Sequence, residues 1–504
     1  VVGLAAGGVF LWSGATLAAD PSALARVDLQ PFAGSVVRVH ASGPDGRAIP
    51  LAVRGGRLTP RTQLTPGERV SIAVVVRRPG WSSWALGKER DESLSVRAPV
   101  AHVSKRWLTV RAGAPVAVRF DTEVSAVATS HGRVAAGGRT VTFPAKTPAG
   151  SVEVAAAARP WEKLGPAERV TWFPAADVPV VLASPGPYAQ ISPLTPLRLT
   201  FSQTLAAAFG SKQPTLSPSI PGHWTQADTH TLVFTPSGFG ARFASDLSVR
   251  FPGEVAVGGA AAHTRSLAWS VAPASFLRLQ QVLAQEGYLP VSWTPAAADV
   301  AHTARAELDA AIDAPAGTFD WRYPNTPNEL QQLWRAGEPN TVTRGAVMMF
   351  QHDHDLTVDG IAGADVWHAV LADALAGKQR TDGYSYVYVH RDVPQLLTLW
   401  HNGNVVLTSP GNTGVPAAPT ALGTFPVFEH IPVGRMSGTN PDGSHYDDPG
   451  IRWISYFHGG EALHAFNRSS FGTPQSLGCV ELPLASAAKV WPYTPIGTLV
   501  TIES

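Results

Sequence analysis

Phe471-Gly-Thr-Pro-Gln-Ser-Leu-Gly-Cys-Val-Glu-Leu482 contains the single cysteine of this 504-residue chain. A lone thiol excludes an intramolecular disulfide framework and a cysteine-clustered zinc site. Cys479 is then either a small buried hydrophobe or a nucleophile, and its surroundings have to decide. Gly478 before it allows close backbone approach, and its N–H with that of Cys479 is a candidate oxyanion donor pair. Ser476 is placed to support the turn through a hydroxyl–backbone bond. Upstream, Tyr446-Asp-Asp-Pro-Gly-Ile-Arg-Trp-Ile-Ser-Tyr-Phe-His-Gly-Gly-Glu-Ala-Leu-His-Ala-Phe466 supplies His458 and His464, with Tyr446 and Tyr456 as hydroxyl-bearing neighbours. Histidine suits a proton carrier because its unperturbed pKa lies near neutrality.

Strand patterns frame this stretch. Tyr384-Ser-Tyr-Val-Tyr-Val-His390 alternates, and Gln395 to Leu407 predicts a hairpin turning at Asn402-Gly403. Ser486-Ala-Ala-Lys-Val-Trp predicts a short helix capped by its serine, and Gly497-Thr-Leu-Val-Thr-Ile a closing strand. Further upstream, Phe276 to Gly287 places Leu279, Val282 and Leu283 on one helical face, with Gly287 as the stop. A second helical stretch runs from Arg344 to Asp355 and a third begins near Ala364 with Val366, Trp367 and Val370. His352, Asp353, His354 and Asp355 are successive residues on a helix and so point in different directions, which predicts a solvated helix end and no metal site. From 27 to 272 no helical periodicity is sustained. Short alternating runs such as Trp107–Arg111, Val116–Phe120, Leu197–Phe201, Thr231–Phe234 and Leu247–Phe251 are separated by Gly and Pro, as in antiparallel sandwiches.

The segment Thr413-Gly-Val-Pro-Ala-Ala-Pro-Thr-Ala-Leu-Gly-Thr-Phe425, a following histidine and Ser476-Leu-Gly-Cys479 together resemble the YkuD-type L,D-transpeptidases over about 383–504. The helix ending in Gly287-Tyr-Leu-Pro, then Ala346-Val-Met-Met-Phe-Gln351 and Leu356-Thr-Val-Asp-Gly-Ile-Ala-Gly363, resemble the three-helix peptidoglycan-binding domain over 276–375, with roughly fifty residues inserted. The third β segment, 180–272, is similar to bacterial Ig-like modules. The resemblance implies a multidomain, mainly β chain: a signal sequence or membrane anchor at 1–20, a β module at 27–100, β-sandwich modules at 101–178 and 180–272, the helical wall-binding bundle, and the terminal β-rich catalytic domain.

That family likeness also implies a chemistry. Cys479 would attack a stem-peptide carbonyl to form a thioester, His464 or His458 would carry the proton, and an amine of a second stem would resolve the acyl-enzyme. The layout of Tyr456–Ala465 favours His464, leaving His458, Tyr446 and Tyr456 as cleft residues. The likeness implies no cofactor, donor and acceptor stem peptides as partners, and carbapenem-type β-lactams as covalent inhibitors. Two departures stand out: Leu477 occupies the position of the family's motif histidine, and Glu481 that of an Asn or Arg. They keep two rival readings open, a catalytically degenerate wall-binding or scaffold protein and a cysteine L,D-carboxypeptidase.

Composition agrees with export and modularity. Charged residues make up 15% and the net charge is +1, which gives no basic surface for nucleic acid. Gly and Pro number 47 and 43, turn chemistry that favours strands and loops over long surface helices. Residues 1–19 carry no charge, and as a helix would span about 28 Å, enough for an anchor or a secretory signal. Either implies an extracytoplasmic, cell-wall location.

Overall fold

Alternation decides the first module. Arg69–Arg77 buries Val70, Ile72, Val74 and Val76 while Ser71 and Ala73 face outward, as period-2 side-chain placement requires. It is flanked by Ser35–Ser42 and Glu89–Arg97. A four-stranded sheet of Ala15–Ala19, Ala25–Leu29, Arg57–Pro60 and Leu51–Arg54 shares its core. The computed structural model describes residues 15–31, 33–111, 113–130, 132–258 and 263–504. Most of the segment read as a leader, 1–14, lies outside the described residues. Its last part corrects the helical reading: Ala15–Ala19 pairs antiparallel with Ala25–Leu29, because a strand partner satisfies its backbone groups. Among the described residues no helix is long and apolar enough to cross a membrane.

The next two strand sets are each hydrogen-bonded into one continuous sheet, five-stranded over 107–173 and eight-stranded over 180–271. Their strands run longer than the short repeats predict. Val116–Thr129 and Asp246–Val257 have 14 and 12 residues and pair through bulges, which let a sheet bend around its own core. Aromatic side chains fill the second of these, with Phe201, Phe209, Phe251 and Trp269 buried together.

Three helices follow: Phe276–Gln285, capped by Ser275; Thr341–Asp353, capped by Asn340; and Ala364–Ala376, ended by Gly377 in the left-handed region. The insertion between the first two folds as a hairpin, Val291–Pro295 with Gly317–Trp321, and a helix, Ala304–Ile312. The helix end at 352–355 is solvated as expected at His352, Asp353 and Asp355, which are exposed. His354 is the half-buried one: its Nε2 lies 2.7 Å from Asp373 and its Nδ1 2.9 Å from the Phe350 carbonyl. Asp353 faces Arg380 at 3.3 Å.

The C-terminal domain packs two sheets face to face. One runs Asn404–Pro410, Leu396–His401, Ser385–His390, Leu499–Glu503, Gly423–Pro426, with the hairpin turning at Asn402 and Gly403, both at positive φ. The other runs Glu429–Thr439, His445–His458, Glu461–Ala465, Val480–Leu482. Val387, Val389, Leu397 and Leu399 of the first meet Phe457, Leu463, Ala465, Val480 and Leu482 of the second. The last helix starts earlier than its serine suggests: it spans Leu484–Val490 behind Pro483. Ser486 sits inside it, 2.8 Å from the Ser409 hydroxyl, and the helix starts behind Pro483 with no side-chain cap.

Candidate active site

Period-2 alternation sends Leu463 and Ala465 into the core between the sheets and leaves Ala462 and His464 on the opposite face. The parallel pairing of Glu461–Ala465 with Val480–Leu482 sets Leu463 beside Val480 and His464 beside Glu481. Cys479 therefore comes alongside Ala462, two positions from His464 and on the same face. The thiol sulfur receives a hydrogen bond from the Ala462 N–H and stands 3.7 Å from the Gly460 carbonyl oxygen. It packs with Ala462, Tyr456 and Phe466 against Ile451 and Ile454.

His464 is 3% exposed, and its Nδ1 lies 3.0 Å from the Ala465 carbonyl. A carbonyl can only accept, so Nδ1 carries the proton and Nε2 is left as the acceptor. Burial lowers the imidazole pKa, which keeps the ring neutral. Burial pushes the Cys479 thiol up to about 11, and the carboxylates of Glu481 and Glu461 add to the rise. At rest the thiol and the imidazole are thus both neutral.

The loop before the cysteine is held from several sides. Ser476 is buried, and its hydroxyl donates to the Cys479 carbonyl at 2.5 Å. Gly478 adopts φ +109°, a conformation that favours glycine, and a Cβ there would sit a tight 3.2 Å from both Cγ and Oε1 of Glu461. Leu477 is half-buried and brings no polar group to the thiol. Burial first and the Cys479 charge second raise the hydroxyl pKa values of Tyr446 and Tyr456, which places both in the thiol's electrostatic neighbourhood. His458 is set differently: its Nδ1 is 3.2 Å from Glu461 and its ring lies against Phe425, 4.4 Å between centroids.

Two acidic residues carry more of the site than their sequence positions suggest. Glu461 accepts from the Ala421 N–H at 3.1 Å as well as facing His458, and so ties the Thr413–Phe425 segment to the cysteine loop. Its signal was only the Gly-Gly-Glu spacing after His458. Glu481, almost fully buried, is held by the Arg468 guanidinium through two bonds of 2.8 and 2.7 Å. Arg468 also reaches the Gln475 carbonyl and lies over the Phe466 ring. Neither partner is adjacent in sequence, which is why the departure at 481 looked isolated. Val415 N–H donates to Ser476, Thr413 N–H to Gln395, and Gly414 N–H to the Thr420 hydroxyl. Beside Phe466 a cleft of about 720 Å³ opens, walled by Asp448, Arg452, Phe471 and Leu484. Among the described residues no group of His, Cys, Asp and Glu is arranged to hold a metal ion.

Family models match two regions: the L,D-transpeptidase catalytic domain over residues 384–502 and a peptidoglycan binding domain over 335–370. The second match covers the two later helices of the bundle. No curated protein matches. Among solved structures, the catalytic domain of the E. faecium L,D-transpeptidase is 23% identical, covers 23% of this chain and 95% of its own, and has a TM-score of 0.22. An L,D-transpeptidase from Mycobacterium smegmatis is 13% identical over 65% of this chain and 99% of its own, with the same TM-score. LdtMt1 in complex with imipenem is 12% identical over 64% and 99%, TM-score 0.22. By the family-model matches, the chain carries a YkuD-type L,D-transpeptidase catalytic domain at 384–502, preceded by a peptidoglycan-binding domain.

Proposed function

We propose that this chain is a cell-wall L,D-transpeptidase working through a Cys479 thioester. One observation carries the reading: Cys479 and His464 lie on one face of adjacent parallel strands, with Nδ1 pinned to the Ala465 carbonyl and Nε2 left as base. As Cys479 Sγ attacks the stem-peptide carbonyl, His464 Nε2 takes the thiol proton. The tetrahedral oxyanion is met by the Gly478 and Cys479 N–H groups. Collapse breaks the peptide C–N bond, and the protonated imidazole returns the proton to the departing amine of the terminal D-residue. An amine of a second stem then attacks the thioester, forming the new amide and regenerating the thiol. Ser476 and Glu461 position the loop, and Tyr446 and Tyr456 line the approach. Such chemistry belongs outside the cytoplasm, at the wall.

A raised thiol pKa and the apolar Leu477 favour the rival reading, a wall-binding module that has lost turnover. Intact-mass measurement after incubation with a carbapenem separates the two. The strained lactam carbonyl should leave an adduct of one inhibitor on the wild type and none on Cys479→Ala. No adduct at any pH from 6 to 9 would sink the enzymatic reading. Hydrolysis in place of transfer would show as loss of the terminal D-residue with no cross-linked dimer when an acceptor stem is supplied.

A further inference from the structure

The insertion that separates the first two helices of the wall-binding bundle walls a half-open pocket of about 370 Å³ against the bundle. One wall is the end of the helix Phe276–Gln285. The other walls are Trp293 of the inserted hairpin, the inserted helix Ala304–Ile312 and the end of Ala364–Ala376. Glu286 lines this cavity at 3% exposure, and neither of its carboxyl oxygens has a hydrogen-bond partner. Leaving such a group unpaired in the interior is costly. Arg278, on the same wall, is 1% exposed; its Nη2 pairs with Glu307 at 2.9 Å, while its Nε is likewise unpartnered. A buried acid and a buried guanidinium N–H, both unsatisfied, thus belong to residues that line one half-open pocket beside an indole.

We propose that this cavity binds the zwitterionic head of an amino acid, its ammonium on Glu286 and its carboxylate on the Arg278 Nε–H. The fixed charges around Glu286 are paired with one another, Glu307 with Arg278 and Asp373 with Lys378 and His354, which leaves Glu286 as the acid free to meet a cation. Asp373 and Glu307 are the acidic neighbours, Lys378 and Arg278 the basic ones, and Asp299, His302 and Arg322 lie farther along the wall. Burial, reinforced by Asp373 and Glu307, pushes the Glu286 carboxyl up to about 9, so the empty site holds a neutral acid. Entry of an ammonium converts Glu286–COOH to the carboxylate, and the released proton goes to solvent. Resting on the wall reading above, the natural source of such a head is the free end of a diamino acid in a stem peptide, which would let the bundle recognise peptide as well as glycan.

The test uses the full chain carrying Cys479→Ala, so that its outcome is independent of acylation at the cysteine. Titration calorimetry and Trp fluorescence follow addition of meso-diaminopimelate, with pimelate (no ammonium) and cadaverine (no carboxylate) as controls. Diaminopimelate should bind with release of a proton, read as a heat that varies with the buffer's ionisation enthalpy. Each control should bind at least tenfold more weakly, and Glu286→Gln should weaken diaminopimelate at least tenfold. No binding up to 20 mM, equal binding of either control, or unchanged binding to a folded Glu286→Gln variant would each overturn the proposal. The controls act on the unsubstituted cavity, so the result stands even where Glu286→Gln perturbs folding. Failure here with a carbapenem adduct intact would retire the cavity alone; the reverse would retire the enzyme alone.

Discussion

At the scale of single residues, Cys479 is distinguished by what surrounds it. An apolar floor and two nearby carboxylates hold the thiol protonated, so the proposed mechanism needs His464 as base and cannot draw on a standing ion pair. His464→Ala should therefore abolish carbapenem acylation. His458→Ala should slow it by only about tenfold, since His458 contacts Glu461 and is itself half-exposed. The reverse order in intact-mass time courses would reassign the base. The sign of the thiol's shift yields a second expectation. With the pKa raised to about 11, alkylation by iodoacetamide should still climb steeply above pH 10, where an ordinary thiol is levelling off. Glu461→Gln removes one of the charges opposing the thiolate and should move that rise to lower pH. An unchanged profile would assign the shift to burial and Glu481. Glu286 offers a third. Its folded pKa lies above its unfolded value, so its effect is absent below the unfolded pKa, and stability falls as pH rises from about 4.5 toward 9. Between pH 4 and 7 this loss is on the order of 3 kcal/mol. Glu286→Gln should flatten that part of the denaturant-midpoint profile.

At the scale of elements, the site is made by one pairing register. Slipping Val480–Leu482 by one residue along Glu461–Ala465 would turn Cys479 into the core and bring Val480 to the surface. The alternation of these strands was readable in advance, but their adjacency was not, because fourteen residues without regular strand structure separate them. The Thr413–Phe425 segment shows the same limit. Its Pro and Gly mark a loop, while its anchorage depends on Gln395, Ser476 and Glu461, which are distant in sequence. Glu461→Ala removes the acceptor for the Ala421 N–H. Hydrogen exchange of residues 415–422 should accelerate about tenfold or more, as expected for loss of roughly 1–3 kcal/mol of local protection. Exchange should stay unchanged in Leu396–His401. Equal acceleration in both would mean general destabilisation rather than release of a loop.

At the scale of the whole molecule, the bundle and the catalytic domain are not beads on a string. Val342, Ala346, Met349 and Phe350 of the bundle share one core with Tyr384, Tyr386, Trp400 and Leu499 of the catalytic domain. The contact is tight at two glycines: a Cβ on Gly345 would lie 2.5 Å from the Gly497 carbonyl oxygen, and one on Gly497 would lie 2.4 Å from that of Gly345. Gly345→Val should cost at least about 1–3 kcal/mol through overpacking. It should lower the calorimetric transitions of both domains together. A shift confined to the bundle would show that the catalytic domain folds without it. Such docking would hold the cysteine at a set distance from whatever the bundle grips, which a flexible linker would not do.

What the sequence determined by itself is the set of candidate residues and the local geometry. The single thiol, the glycine before it, the histidines, the hairpin at Asn402-Gly403 and the helical face of Leu279, Val282 and Leu283 are all written in spacings of a few residues, where backbone sterics and period suffice. Tertiary structure decided the rest. It selected His464's free nitrogen through the Ala465 carbonyl, gave Glu481 its counterion in Arg468, made Glu461 the tie between two loops, and placed Glu286 in the wall of a pocket. Each of these depends on through-space proximity of residues brought together by strand register and core packing, and charges and hydrogen bonds act over ångströms rather than along the chain.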